Sequence, residues 1–193
     1  MPQLNFDTIL DIFIDNLIPE TKIAVEKGNK IFGAFIIDKL DLSLVSTGTN
    51  NEVVNPLYHG EISTLFNFFK SNTLNPKNYY FITSHEPCSL CLSAITWSGF
   101  DNFYYFFPYD ETESIFNIPH DLNIFKEVFN IHRGEYNKNN NYWESYSIIQ
   151  KIHEISDQDN SILLNKIQQI RLNYQELSKK YQETKISNNI PLK

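Results

Sequence analysis

Apolar residues between Phe6 and Glu26 recur at helical spacing, at Phe6, Ile9, Leu10, Phe13 and Leu17. Pro19 interrupts the pattern, which predicts a kink or two short helices, and Gly28 closes the segment. Ile31 to Ile37 is an apolar run of strand length. Leu42 to Thr47 alternates as a second strand, with Asp38-Lys39-Leu40-Asp41 as the hairpin turn between them. Gly48 to Tyr58 reads as loop, and Ile62, Leu65, Phe66 and Phe69 place a helix from about His59. After a turn at Asn75-Pro76-Lys77-Asn78, Tyr79 to Thr83 predicts a buried strand. Cys88 to Trp97 predicts a helix with Pro87 ahead of it and Gly99 behind. Phe103 to Phe107 is another strand, Pro119 to Phe129 a further helix, and Ile131 to Tyr136 the candidate for a fifth strand. Strands alternating with helices imply a layered α/β fold. Beyond residue 150 the pattern changes. Ile167, Ile170, Tyr174, Leu177 and Tyr181 form an apolar stripe on an otherwise polar helix, suited to packing on the body or on a partner.

Composition sharpens this picture. The chain has 193 residues, 41% of them hydrophobic and 15% aromatic, enough for one real core and against a mainly disordered chain. Net charge is −7, and the only arginines are Arg133 and Arg171, which disfavours a long polyanionic partner. No apolar stretch reaches the ~18–20 residues of a membrane span, and no basic segment followed by an apolar run opens the chain. The two cysteines, Cys88 and Cys91, make no disulfide framework; three apart, they read as a metal or redox pair in a reducing compartment. A cytoplasmic or nuclear protein without a membrane is expected.

The chemistry concentrates in His59-Gly60-Glu61 and Pro87-Cys88-Ser89-Leu90-Cys91. Cys88 and Cys91 at i and i+3 can turn both thiolates to one point at the start of a helix. His59 opens a second helix. Two helix N-termini stabilise thiolates, and two thiolates with a neutral imidazole balance Zn²⁺ while leaving a fourth tetrahedral position open. Glu61, two residues beyond a ligand, stands where a proton must be moved. The alternatives for the same residues are a buried histidine beside an unrelated or redox-active thiol pair, and a surface carboxylate at a helix start.

The paired motif H-x-E and P-C-x-x-C resembles that of the cytidine and deoxycytidylate deaminase superfamily. Phe32-Gly33-Ala34-Phe35-Ile36-Ile37 is similar to that family's first strand, and Ser84-His85-Glu86-Pro87-Cys88 through Ile95 to its second zinc helix. The Glu-Pro-Cys form and the trailing Ala94-Ile95 resemble the guanine, cytosine and tRNA adenosine deaminase branch. The resemblance covers about residues 5–130. It implies zinc on His59, Cys88 and Cys91, with Glu61 as the proton shuttle. It further implies a backbone contact from Gly60 to a base carbonyl, a base-holding Asn51 (Asn50 and Asn55 being rivals) and Phe32 packed against the base. Gly60 stands where alanine is commoner, and Asn55-Pro56-Leu57-Tyr58 where many relatives have Asp-Pro-Thr-Ala. His85 is expected beside the ligands rather than among them, Glu86 on backbone at the turn, and Trp97 and Trp143 in the core. Tyr109 and Asp110 are open between substrate contact and a solvated loop.

The expected fold is a three-layer α/β/α sandwich with a five-stranded mixed sheet. It comprises a deaminase domain over residues 1–150 and a C-terminal helical extension over 151–193. The expected activity is hydrolytic deamination of an amino-purine or amino-pyrimidine base or nucleoside of guanine or cytosine type. The alternatives are a tRNA adenosine deaminase and a non-catalytic zinc-binding partner subunit. A homo-oligomer is expected by analogy with the family.

Overall fold

The computed structural model describes residues 4–70, 75–155 and 160–193. Helix α1 (Phe6–Ile12) starts at Asn5, whose side chain accepts from the amides of Asp7 and Thr8. Phe13–Leu17 forms a π-helical turn between α1 and α2 (Ile18–Glu26), so the segment is two short α-helices as expected, with Pro19, which has no N–H to donate, at the start of the second. The hairpin of β1 (Gly33–Asp38) and β2 (Leu44–Thr49) follows, then α3 (Gly60–Phe68), β3 (Tyr79–His85), α4 (Ser89–Trp97) and β4 (Asn102–Phe107). Short helix α5 (Tyr109–Ser114) leads to α6 (His120–Phe129), and β5 (Glu144–Ser147) to α7 (Ile148–Glu154) and α8 (Ser161–Thr184).

The five strands form one mixed sheet in the order β2-β1-β3-β4-β5. Strand β1 is antiparallel to both β2 and β3, whereas β3, β4 and β5 are parallel. Alternation along the strands divides the core. Phe35, Ile37, Ile82 and Phe106 pack with α1, α2 and α8 on one face; Ala34, Ile36, Phe81 and Phe103 pack with α3, α4 and α6 on the other. This is the expected α/β/α sandwich.

The fifth strand is not where the pattern put it. Within residues 131–136, His132–Gly134 makes a short 3-10 turn in which Arg133 and Gly134 take left-handed backbone angles, and such residues cannot extend along a sheet edge. The strand is Glu144–Ser147, four residues of mostly polar side chains. Trp97, expected in the core, is 91% exposed, while Trp143 is buried and donates its indole N–H to Thr96. The core does not divide at residue 150: Ile170, Tyr174 and Tyr181 of α8 lie in the same cluster as Phe13, Phe35 and Phe106.

Parallel strands direct ligands to their carboxyl ends. Here β3 and β4 end together, His85 opposite Phe107, and the antiparallel β1 begins at that edge. Helices α3 and α4 both start there.

Candidate metal centre and active site

His59 sits at the N-cap of α3 and Cys88 at the N-cap of α4, each in extended backbone geometry. Cys91 is one turn further along α4. The ligand atoms of His59, Cys88 and Cys91 lie within 4.8 Å of one another. His59 Nδ1 is 3.4 Å from Cys88 Sγ and 3.6 Å from Cys91 Sγ, so Nδ1 is the nitrogen turned to the thiols. Glu61 is buried in the first turn of α3, and its Oε2 accepts from Cys91 Sγ at 3.2 Å.

The charges of this cluster act strongly on one another. A hydrogen bond from Cys91, then the His59 imidazole beside it, holds the Cys88 thiol well below its ordinary range. Burial pushes the Cys91 thiol up. Burial, then the Cys88 charge, raises the Glu61 carboxyl to about 7. Burial opposes charge on His59, but the hydrogen bond and charge of Cys88, with Glu61 and Glu52, carry its pKa to about 9. Two thiols and an imidazole at these separations fit Zn²⁺ in both ligand type and spacing, and three donors leave one tetrahedral position free.

The surroundings distribute the other predicted residues. Phe32 and His59 border a cavity of about 240 Å³, together with Cys88, Leu57, Ile118 and Asp121. Its outer wall is the chain's own Ile190, Pro191 and Leu192. Asn51, expected to hold a base, is exposed and borders a separate open groove between α2, β2 and α3. The interior place is taken by Asn50, 0% exposed, whose Nδ2 donates to Glu52 Oε2 at 2.7 Å. The Gly60 amide, expected to reach a base carbonyl, donates to Asn50 Oδ1 at 2.6 Å. His85 turns into the opposite layer, against Phe32, Phe107, Phe116 and Tyr174, and is no ligand. Glu86 accepts from the Tyr109 amide and the Tyr136 hydroxyl and pairs with Lys138. Tyr109 is buried, its hydroxyl on the Pro87 carbonyl, and Asp110 is exposed.

Three features had no reading in the sequence. Asp121, in the first turn of α6, reaches the cavity, and burial, then the Cys88 charge, raises its carboxyl well above the ordinary range. The Lys30–Glu52 ion pair is buried beside the site. Residues 190–192 line the cavity. Only the buried ion pair left a trace, an acid within an otherwise uncharged loop.

Three convergent donors at the carboxyl edge of a mixed sheet are placed to hold one metal ion, with the buried carboxylate of Glu61 beside them. The model of the cytidine and deoxycytidylate deaminase zinc-binding region matches residues 10–107, and the chain belongs to that family. A tRNA-specific adenosine deaminase of Rickettsia felis is 31% identical over 97 residues, and that of Rickettsia typhi 28% over 97. Each match covers 48% of this chain but only 66% and 64% of those relatives, just under two thirds. Among solved structures, a guanine deaminase from Nitrosomonas europaea superposes with a TM-score of 0.54 at 16% identity, covering 87% of this chain and 81% of that one. A guanine deaminase from Bacillus subtilis gives 0.52 at 20%, covering 78% and 95%. Both share the fold. Among the described residues, no helix is long and apolar enough to cross a membrane.

Proposed function

We propose that the protein is a zinc-dependent hydrolytic deaminase of a free nucleobase, with guanine and cytosine the first bases to test. The observation that carries this reading is the size and lining of the cavity. At about 240 Å³ it falls below the ~300–1,000 Å³ range of pockets for drug-sized ligands, which suits a single ring system. Phe32, Leu57, Ile118, Ile190 and Leu192 give it an apolar lining suited to the face of a base. Lys30 on its wall is already paired with Glu52, and Arg171 is paired with Glu111 along α8, so neither stands ready to take a phosphate.

His59, Cys88 and Cys91 would hold the zinc. When bound, the metal lowers the pKa of water to near neutrality and so supplies the nucleophile. Glu61 then handles protons. Its buried carboxyl would carry one proton of the attacking water to a ring nitrogen and the second to the amine, which leaves as ammonia while the ring keeps the oxygen as an oxo group. Asp121 offers an acceptor to a ring N–H, and Phe32 an apolar edge beside the base. Asn50 and Gly60 are engaged with each other and hold the backbone of the motif rather than the substrate.

A second reading, a tRNA adenosine deaminase, is favoured by the 31% identity to the Rickettsia felis protein. Ammonia release from bases, nucleosides and an anticodon stem-loop RNA, each at low and high salt, separates the two. Turnover of a free base at a rate indifferent to salt supports the proposal. Turnover of the RNA alone, falling steeply with salt, overturns it.

A further inference from the structure

Glu52, in the loop between β2 and α3, is a buried carboxylate, 4% exposed, that the proposed chemistry does not use. Its Oε1 takes a hydrogen bond from Lys30 Nζ at 2.7 Å, and its Oε2 takes one from Asn50 Nδ2 at 2.7 Å. Asn50 in turn accepts the Gly60 amide at 2.6 Å. The same Oε1 lies 3.8 Å from His59 Nε2, the ring nitrogen not turned to the thiols. Glu52 thus flanks the His59-Gly60-Glu61 motif on two sides, held to one through Asn50 and standing 3.8 Å from the imidazole on the other, just beyond hydrogen-bond distance.

We propose that Glu52 is the positioning residue of the metal centre. This rests on the zinc reading above. A histidine that binds a metal through Nδ1 carries its proton on Nε2, and that proton needs an acceptor to fix the tautomer and the ring plane. Glu52 is the carboxylate on that side. Lys30 supplies the opposite charge that a buried carboxylate needs beside it. A buried ion pair on its own contributes little net stability, so stability alone is a weak reason for its presence. Through Asn50, the same carboxylate also anchors the first turn of α3, which carries Glu61.

The test is zinc affinity, measured by competition with a chromophoric chelator, together with the imidazole N–H resonance of His59 in the zinc-loaded protein. Wild type is compared with Glu52→Gln and with the double variant Lys30→Met/Glu52→Gln, which leaves no unpaired lysine buried if the single variant folds poorly. The expected result is zinc binding weakened about 10–100-fold in both, with the Nε2–H resonance shifted from its wild-type position. Variants that lose thermal stability yet bind zinc as tightly as wild type, with an unchanged resonance, overturn the proposal. Absence of zinc binding in wild type itself would remove the metal reading and this proposal together, an outcome separate from the first.

Discussion

At residue 60, where the family resemblance leads one to expect alanine, an added Cβ would lie 2.6 Å from the Cα of Gly33 and 2.9 Å from its nitrogen. Backbone on both sides leaves nowhere to move, so glycine here is a consequence of how closely α3 approaches β1. Gly60→Ala is expected to lower stability by about 1–3 kcal/mol, read from the midpoint of urea unfolding. An unchanged midpoint would show that α3 stands further from β1. The neighbouring asparagines make a sharper contrast. Asn50→Ala strands the Gly60 amide and one oxygen of Glu52 and should cost about 1–3 kcal/mol, whereas Asn51→Ala should change little. Equal effects of the two would refute the placement. This difference was illegible in the sequence because adjacent residues of a turn point opposite ways, and both are asparagine. His59, Glu61, Cys88 and Cys91 were legible because their chemistry lies in residue type and spacing alone. Asp121 was not, since an acid in the first turn of a helix has an ordinary explanation in the helix dipole.

Among elements, those with long apolar patterns emerged from the sequence and the short polar ones did not. Strands β1, β3 and β4 are buried on both faces and read as continuous apolar runs. Strand β5 has only Ser145 buried, and parallel pairing with β4 rather than its own pattern makes it a strand. Helix α5 begins with Tyr109-Asp110-Glu111, polar enough to pass for loop, but Thr112 is buried and Glu111 pairs with Arg171 of α8. The stripe on α8 was legible, whereas its target was not. It packs on α1 and α2 over the sheet, Ile170 and Tyr174 each 0% exposed. Helix α8 is therefore expected to unfold with the body. Ile170→Ala should destabilise the whole protein by about 2–5 kcal/mol in one cooperative transition. A first transition confined to α8, leaving the body folded, would show an independent appendage.

For the whole molecule, the two-layered core sets a dependence on pH through His85. Burial holds its imidazole well below the ordinary 6.5. In the unfolded chain it takes up a proton near 6.5 that the folded protein refuses. Its contribution to stability is therefore complete above 6.5 and is lost as pH falls towards the folded value, by up to about 1.4 kcal/mol per pH unit. Unfolding free energies of wild type and His85→Leu should diverge in slope between pH 6.5 and 5.5, the variant being flatter; parallel curves would show that His85 charges in the folded state. Net charge bears on function at this scale too. A net charge of −7 weighs against a long polyanionic partner and agrees with the free base proposed as substrate. The most direct measurement is ammonia release from guanine and from cytosine by the zinc-loaded protein, beside Glu61→Gln loaded to the same zinc content. The account predicts turnover of one of these bases, slowed about 10²–10⁴-fold in the variant. Stoichiometric zinc with no ammonia from either base, in wild type as in the variant, would contradict it.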